Sequence, residues 1–322
     1  MLRYVLQRLL MTIFVIIAAA ILIFTVMYFV PGDPAKIILG PEATAADLAD
    51  VRHQLGIDRP FLVQLGSFMY NTFIKFDMGT SWFRNTSVFG GMLERIPRTF
   101  LLGFLSIVLT SLVGIPMGVN AATHHRKWQD KGVISFAMVF MSVPEFWVAL
   151  LFIIFFSLRL NILPSFGIGS WKNYVLPILS GALAGIGGIA RYTRSCVLEV
   201  VHADYITTAR AKGVMERKVI YQHMLPNALI PVLTNVGTSF TRCIGGTIVM
   251  EKIFSFPGVG LYLSDAIASR DYPVIRGCVI VIAAFTAILM LLVDLSYGYV
   301  DPRIKAQYVK QSTKKGKIKN VA

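Results

Sequence analysis

Charge is in short supply in this sequence. Of its 322 residues only 15% are charged, and 17 of them are acidic. A soluble globular chain carries closer to about a quarter charged residues. So thin a supply cannot coat a core of this size in water, which excludes an ordinary soluble domain. Cysteine is scarce too. Cys196, Cys243 and Cys278 are the only three. None belongs to a C-x-x-C pair or has zinc spacing with histidine, so they read as small packing residues. The sequence lacks H-E-x-x-H, a nucleophile elbow and the G-x-x-x-x-G-K-[ST] phosphate loop. Metallohydrolase, serine-hydrolase and nucleotide-hydrolase chemistries therefore have no residues here. No catalytic and no metal site is expected. His124 and His125 stand beside Arg126 and read as part of a basic loop.

What is present is apolar sequence in blocks. Hydrophobic residues make up 55% of the chain, and its mean hydropathy is +0.65. The runs 9–30, 100–121, 133–158, 174–190, 229–250 and 274–300 are each near the roughly 20 residues that cross a hydrocarbon core. The expected fold is an all-α membrane protein of about six transmembrane helices. The first run follows Arg3 and Arg8 as a signal peptide would. It is too long for such a segment and more spans follow it, so a retained helix is expected. Span four carries Gly181 and Gly185, with Ser180, Ala184 and Gly188 alongside, a pattern that lets helices approach closely in lipid.

The net charge of +14 does not indicate nucleic acid, because the basic residues sit in short loops between apolar blocks instead of on one soluble face. Arg126, Lys127 and Lys131 follow span two. Arg191, Arg194, Arg210, Lys212, Arg217 and Lys218 follow span four, and Lys305 to Lys319 follow span six. These loops and the N-terminus fall on one side, the cytoplasm by the positive-inside rule. The opposite side holds 31–98, 159–173 and 251–273. Thr44 and Asp47 form a capping box there for a helix ending near Gly56, and Phe61 to Phe73 follow helical spacing. This outer segment is either a cap on the bundle or a docking surface. The expected division is 1–98, a five-helix core 99–300 containing the long loop 191–226, and a basic tail 301–322.

Three ionisable residues fall inside spans: Glu145, Arg242 and Asp294. Such residues face a bundle interior or a wet cavity, often in pairs. Counted along straight helices, Glu145 lies roughly 18 Å and Arg242 roughly 22 Å from the cytoplasmic ends, with Asp294 only about 9 Å in. Glu145 and Arg242 are thus candidates for a pair at the wall of a translocation path, the alternative being a structural pair away from the path or two residues each satisfied separately. Asp294 is a candidate structural contact near the inner face.

The loop 191–226 is too long for a simple connection. Asp204 can cap a helix over Tyr205 to Lys212, with Gly213 as its C′ residue and Arg210 and Lys212 at the negative end of its dipole. A second helix can run from Glu216 to Met224. Eight helical residues make a rod of about 12 Å, fit either to cover the bundle or to fill a groove on a soluble partner.

Thr207-Thr208-Ala209, Gly213 and His223-x-Leu225-Pro226 resemble the EAA loop of ABC importer permeases, E-A-A-x₃-G-x₉-I-x-L-P, departing from it at Thr207, Thr208 and His223. Thr208-Ala209-Arg210-Ala211-Lys212-Gly213 looks like the variant of the oligopeptide/dipeptide/nickel branch. So do Pro31-Gly32-Asp33-Pro34, Met78-Gly79-Thr80-Ser81, Phe256-Pro257-Gly258-Val259-Gly260 and Asp301-Pro302-Arg303. The resemblance implies a type I importer permease in the bacterial inner membrane with both termini cytoplasmic. It implies a second related permease, two ATPase subunits that hold ATP and Mg, and an extracytoplasmic binding protein. It implies that Asp204, Tyr205, Thr208, Ala209, Arg210, Ala211, Lys212, Gly213 and Glu216 couple to an ATPase. Peptides are the expected substrate, with nickel or a metal chelate as the alternative. A secondary transporter or channel would show inverted repeats and broken helices, and no such repeat is visible.

Overall fold

A computed structural model of the chain describes the backbone of residues 2–300 and their side chains apart from those of 2–4, 241–244 and 296–300. Helices dominate the described residues: α1 (Leu2–Phe29), α2 (Pro34–Leu39), α3 (Ala45–Leu55), α4 (Phe61–Phe73), α5 (Val88–Leu93), α6 (Ile96–Thr123), α7 (Trp128–Ser142), α8 (Glu145–Phe152), α9 (Lys172–Val201), α10 (Asp204–Ala211), α11 (Glu216–Lys218), α12 (Leu225–Ile253), α13 (Val259–Ser269) and α14 (Tyr272–Val300). π-Helical turns extend α8 over Ile153–Arg159 and join α11 to α12 over Val219–Met224. Four stretches are long and apolar enough to cross a membrane: Val5–Phe29, Val88–Thr123, Lys172–Val201 and Tyr272–Leu295. The expected span 229–250 lies within α12, part of whose side chains are outside the described residues. The basic tail and the Asp301-Pro302-Arg303 motif are also outside them.

The described residues divide into two compact units, one of Leu2–Arg98 with Pro257–Leu291 and one of Thr99–Phe256 with the end of α14 from Leu292.

In the first unit, α1 exposes Leu10, Phe14, Leu22 and Phe29, as a lipid-facing helix does. Its other face packs on α4, where Phe24 stacks on Phe68 with ring centroids 5.1 Å apart. The short elements between them follow local chemistry. Asp33 caps α2 by accepting from the Ala35 amide at 3.1 Å, with Pro34 supplying the fixed φ of the first turn. Thr44 caps α3 by accepting from the Asp47 amide, and Gly56 closes the helix at φ +66°. The core of this unit includes Val88, Met92, Tyr262, Val274 and Cys278. Asp271 ties the Met78-to-Ser81 turn to the start of α14, accepting from the Ser81 hydroxyl at 2.5 Å and the Trp82 amide at 3.3 Å.

The second unit is organised around α9, which packs against α7, α8 and α12. Its small-residue seam is used within the chain. A Cβ on Gly185 would stand 2.9 Å from Thr110 Oγ1 of α6, and one on Gly118 of α6 would stand 2.4 Å from the Ala190 carbonyl. This is the close backbone approach that replaces hydrophobic driving force in lipid.

Span three departs from the straight helix expected over 133–158. It breaks at Val143-Pro144, and the two halves meet at 97°. At the break Val143 is extended at ψ 129°, the conformation that the ring of a following proline favours. The broken pair contributes a fifth crossing if taken as one span.

Candidate functional site: a helical handle and a central cavity

The handle begins where α9 ends. α10 runs over eight residues and buries Ile206 and Ala209. These two pack with Ala122 of α6, Val197 of α9 and Ala228 of α12, and with Val219 and Met224 of the π-helical turn. Asp204, Tyr205, Thr208, Arg210, Ala211, Lys212, Gly213 and Glu216 are exposed. The helix stops at Gly213, which adopts φ +75° with its amide 2.9 Å from the Arg210 carbonyl. This is the left-handed C′ position that favours glycine. Beyond it, Glu216 accepts from Arg210 through both carboxylate oxygens, at 2.7 and 3.1 Å. Each charge favours the other: the Glu216 carboxyl titrates below, and the Arg210 guanidinium above, its usual range.

Two details correct the sequence reading. The residue that caps α10 is Ala203, and Asp204 occupies the first helical turn without a side-chain cap bond. Its carboxylate still suits the positive end of the helix dipole. The side chain of Ala209 faces the chain's own core and is 9% exposed, unlike those of its neighbours Thr208 and Arg210.

Residues of α6, α7, α8, α9 and α12 line a cavity of about 840 Å³. Ser106 and Thr110 of α6, Glu145 of α8, Gly181 and Gly185 of α9 and Asn235 and Ser239 of α12 line it. Glu145 is the first residue of α8 because of the break at Pro144. A depth counted along a straight helix therefore does not apply to it. Its side chain is partly buried and makes no hydrogen bond or ion pair among the described residues. The dipole of α8 favours a carboxylate at that place. The Arg242 side chain lies outside the described residues. Asp294 is buried, 6% exposed.

Sequence reasoning missed two buried carboxylates. Asp130 accepts from Arg194 through Nε and, at 2.8 Å, through Nη2. It also takes the Arg126 amide at 2.9 Å, and His125 Nδ1 lies 3.1 Å away. This network fastens α7 to α9 beside the cavity, where Arg194 is also a lining residue. The available signal was that Asp130 is the lone acid among Arg126, Lys127 and Lys131. Glu251, expected at the start of an outer loop, is fully buried in α12 and accepts from the Thr99 hydroxyl at 2.7 Å. Counting hydrophobic residues ended the span three residues before the end of α12.

The chain matches two family models. Residues 114–306 match the binding-protein-dependent transport system inner membrane component, and residues 1–103 match the N-terminal part of that membrane component. It is 41% identical over 309 residues to a protein of Brucella abortus (strain 2308) named as a peptide transport system permease, covering 94% of this chain and 98% of that one. It is 39% identical over 305 residues to the glutathione transport system permease protein GsiC of Salmonella choleraesuis (strain SC-B67), covering 95% and 99%. Among solved structures, it resembles a chain of the MetNI methionine ABC transporter in an inward-facing conformation. The TM-score is 0.56 and the identity 17%, over 65% of this chain and 95% of that one. A chain of an amino acid ABC transporter crystallised with histidines gives a TM-score of 0.54 at 15% identity, over 64% and 92%. At these identities the structures speak to fold, and the fold is that of ABC importer permeases. The chain is a multi-pass membrane protein that belongs to the family of binding-protein-dependent transport system inner membrane components.

Proposed function

We propose that this chain is one permease subunit of an ATP-driven peptide importer that works by alternating access. It pairs with a second, related permease. Two ATPase subunits carry ATP and Mg, and an extracytoplasmic binding protein delivers the substrate. The names of the two relatives, peptide and glutathione transport permeases, support a peptidic substrate. The handle, the tail and the N-terminus face the cytoplasm, in keeping with the basic loops.

The observation that carries this reading is the split character of α10. One face is locked into the bundle through Ile206 and Ala209, and the other stands exposed. A partner that grips the exposed face and shifts it displaces the ends of α9 and α12 together, because Val197 and Ala228 belong to the same apolar cluster. Those two helices also wall the cavity. Closure of the ATPase pair thereby changes the side to which the cavity opens, and Glu145 presents a carboxylate to the ammonium end of a peptide within it.

The test is uptake of labelled di- and tripeptides by the reconstituted complex with its binding protein. ATP-dependent peptide uptake is expected. Uptake of nickel but of no peptide would move the assignment to the metal branch, and uptake without the ATPase subunits would overturn the importer reading. Orientation is checked with single cysteines. An impermeant reagent on intact cells should modify a cysteine replacing Asn85 and spare one replacing Ser312, and the reverse would invert the topology.

A further inference from the structure

Six buried side-chain polar atoms lack a hydrogen-bond partner among the described residues, and three of them gather in the first unit: Thr72 Oγ1, the Tyr272 hydroxyl and Arg276 Nε. They line two cavities of about 390 and 520 Å³ that share Phe24, Gln64, Trp82 and Arg276 as walls. Tyr272 is only 7% exposed. The Arg276 guanidinium lies over the rings of Phe68 and Phe24, 5.1 and 5.7 Å from their centroids. No carboxylate pairs with it among the described residues. The acids nearby are engaged elsewhere: Asp33 with Arg52 and the Ala35 amide, Asp77 with the Gly79 amide, and Asp271 with Ser81 and Trp82. A cation in an aromatic wall, beside a hydroxyl without a partner, carries an unmet electrostatic cost that an external anion would offset.

We propose that this chamber is a binding site for a phosphate group, held by Arg276 and the Tyr272 hydroxyl, and that its occupant is the headgroup of a phospholipid. The planar guanidinium fork matches phosphate oxygens. The depth selects the source. Arg276 lies four residues from the start of α14 and Phe24 five from the end of α1, about 6 and 7.5 Å inside the helix ends. Helices of 28 and 29 residues span about 42 Å, the thickness of a bilayer with its headgroups. The headgroup layers account for the outer 5–7.5 Å or so at each face, so the chamber sits at the inner edge of the headgroup layer, within reach of a lipid phosphate. Trp82, Tyr28 and Tyr272 line the same chamber, and amphipathic rings of this kind collect at that level.

The experiment is native mass spectrometry of the purified detergent-solubilised complex, wild type against Arg276→Gln, Arg276→Lys and Tyr272→Phe. Assembly of each variant is verified by size-exclusion chromatography. The wild type should retain bound phospholipid, Arg276→Gln should retain at least about tenfold less, and the other two variants should lie between. A parallel arm measures binding of radiolabelled inorganic phosphate to delipidated wild-type and Arg276→Gln complexes. Phosphate binding that depends on Arg276, without lipid retention, would keep the site and overturn the lipid as occupant. Equal lipid retention and no Arg276-dependent phosphate binding would overturn the proposal. If Arg276→Gln fails to assemble, Tyr272→Phe decides, with lower retention supporting the site and unchanged retention refuting it.

Discussion

Arg210 and Glu216 meet across the turn at Gly213, with the guanidinium Nη2 and Nε donating to the two carboxylate oxygens at 2.7 and 3.1 Å. The pair is solvent-exposed, 39% and 56% by side chain. Screening holds its stabilisation to at most about 1 kcal/mol. Its effect is on shape, since it fixes the direction in which the chain leaves the handle. Gly213 itself has nothing within 4 Å of a Cβ position, so a substitution there is penalised by backbone strain and not by a clash. Gly213→Val should lower transport about tenfold or more at unchanged membrane insertion, because a β-branched residue resists φ +75°. Gly213→Asn should retain most activity, because asparagine tolerates that region. Uptake assays normalised to immunoblotted membrane protein check both.

Asp130 is buried and Arg194 partly buried, with side chains 5% and 22% exposed. Removing Arg194 leaves the buried carboxylate without its main partner, at a cost of about 1–3 kcal/mol, and removing Asp130 costs less because Arg194 faces the cavity. Asp130→Ala and Arg194→Ala should each lower the thermal midpoint of the solubilised complex, and the double variant should be less destabilised than the sum of the two. An additive double-mutant cycle would contradict the pairing.

The loop beyond α1 carries a pH dependence of known sign. Arg52, hydrogen-bonded to Asp33 at 2.5 Å, holds the Asp33 carboxyl below its usual range. A depressed folded value means that the stabilisation is complete above the unfolded pKa, near 4, and is lost as pH falls through the folded one. Amide protection of α2 and α3, measured by hydrogen exchange, should therefore drop below about pH 4. Asp33→Asn should lower the protection at neutral pH and flatten this dependence.

Within the cavity, Glu145→Gln should raise the KM for peptide uptake several-fold without loss of assembly. If Glu145 and Arg242 act as a pair, Glu145→Arg combined with Arg242→Glu should transport better than either single change. A double variant no better than the singles would separate the two residues.

Much of this chain was legible wherever a single turn of backbone decides the outcome. The Thr44 cap, the stop at Gly56 and the left-handed Gly213 are set by residues a few positions apart, and the structure places all three as their chemistry dictates; only the second half of the expected capping box differs, the Asp47 carboxylate accepting from the Thr44 hydroxyl. The prolines show the limit. Pro116, Pro177 and Pro231 lie inside continuous helices, whereas Pro144 follows an extended Val143 and turns the chain by 97°. In lipid, neighbouring helices and side chains satisfy the carbonyl that a proline frees, so tertiary packing decides which proline breaks a span. The clamp between Asp130 and Arg194 joins positions 64 residues apart, beyond the reach of local pattern. The family motifs point to the handle, but only packing distinguishes inward Ile206 and Ala209 from the exposed residues beside them.

The coupling role proposed for the handle is tested most directly by site-specific cross-linking in the assembled complex. Cysteines replacing Thr208 and Lys212, both exposed, should form cross-links to single cysteines in an ATPase subunit, and their yield should change between the ATP-bound and nucleotide-free states. A cysteine replacing Ile206, which is fully buried, should form none. Cross-links from Ile206 with none from Thr208 or Lys212, or no cross-link from any of the three, would contradict the account.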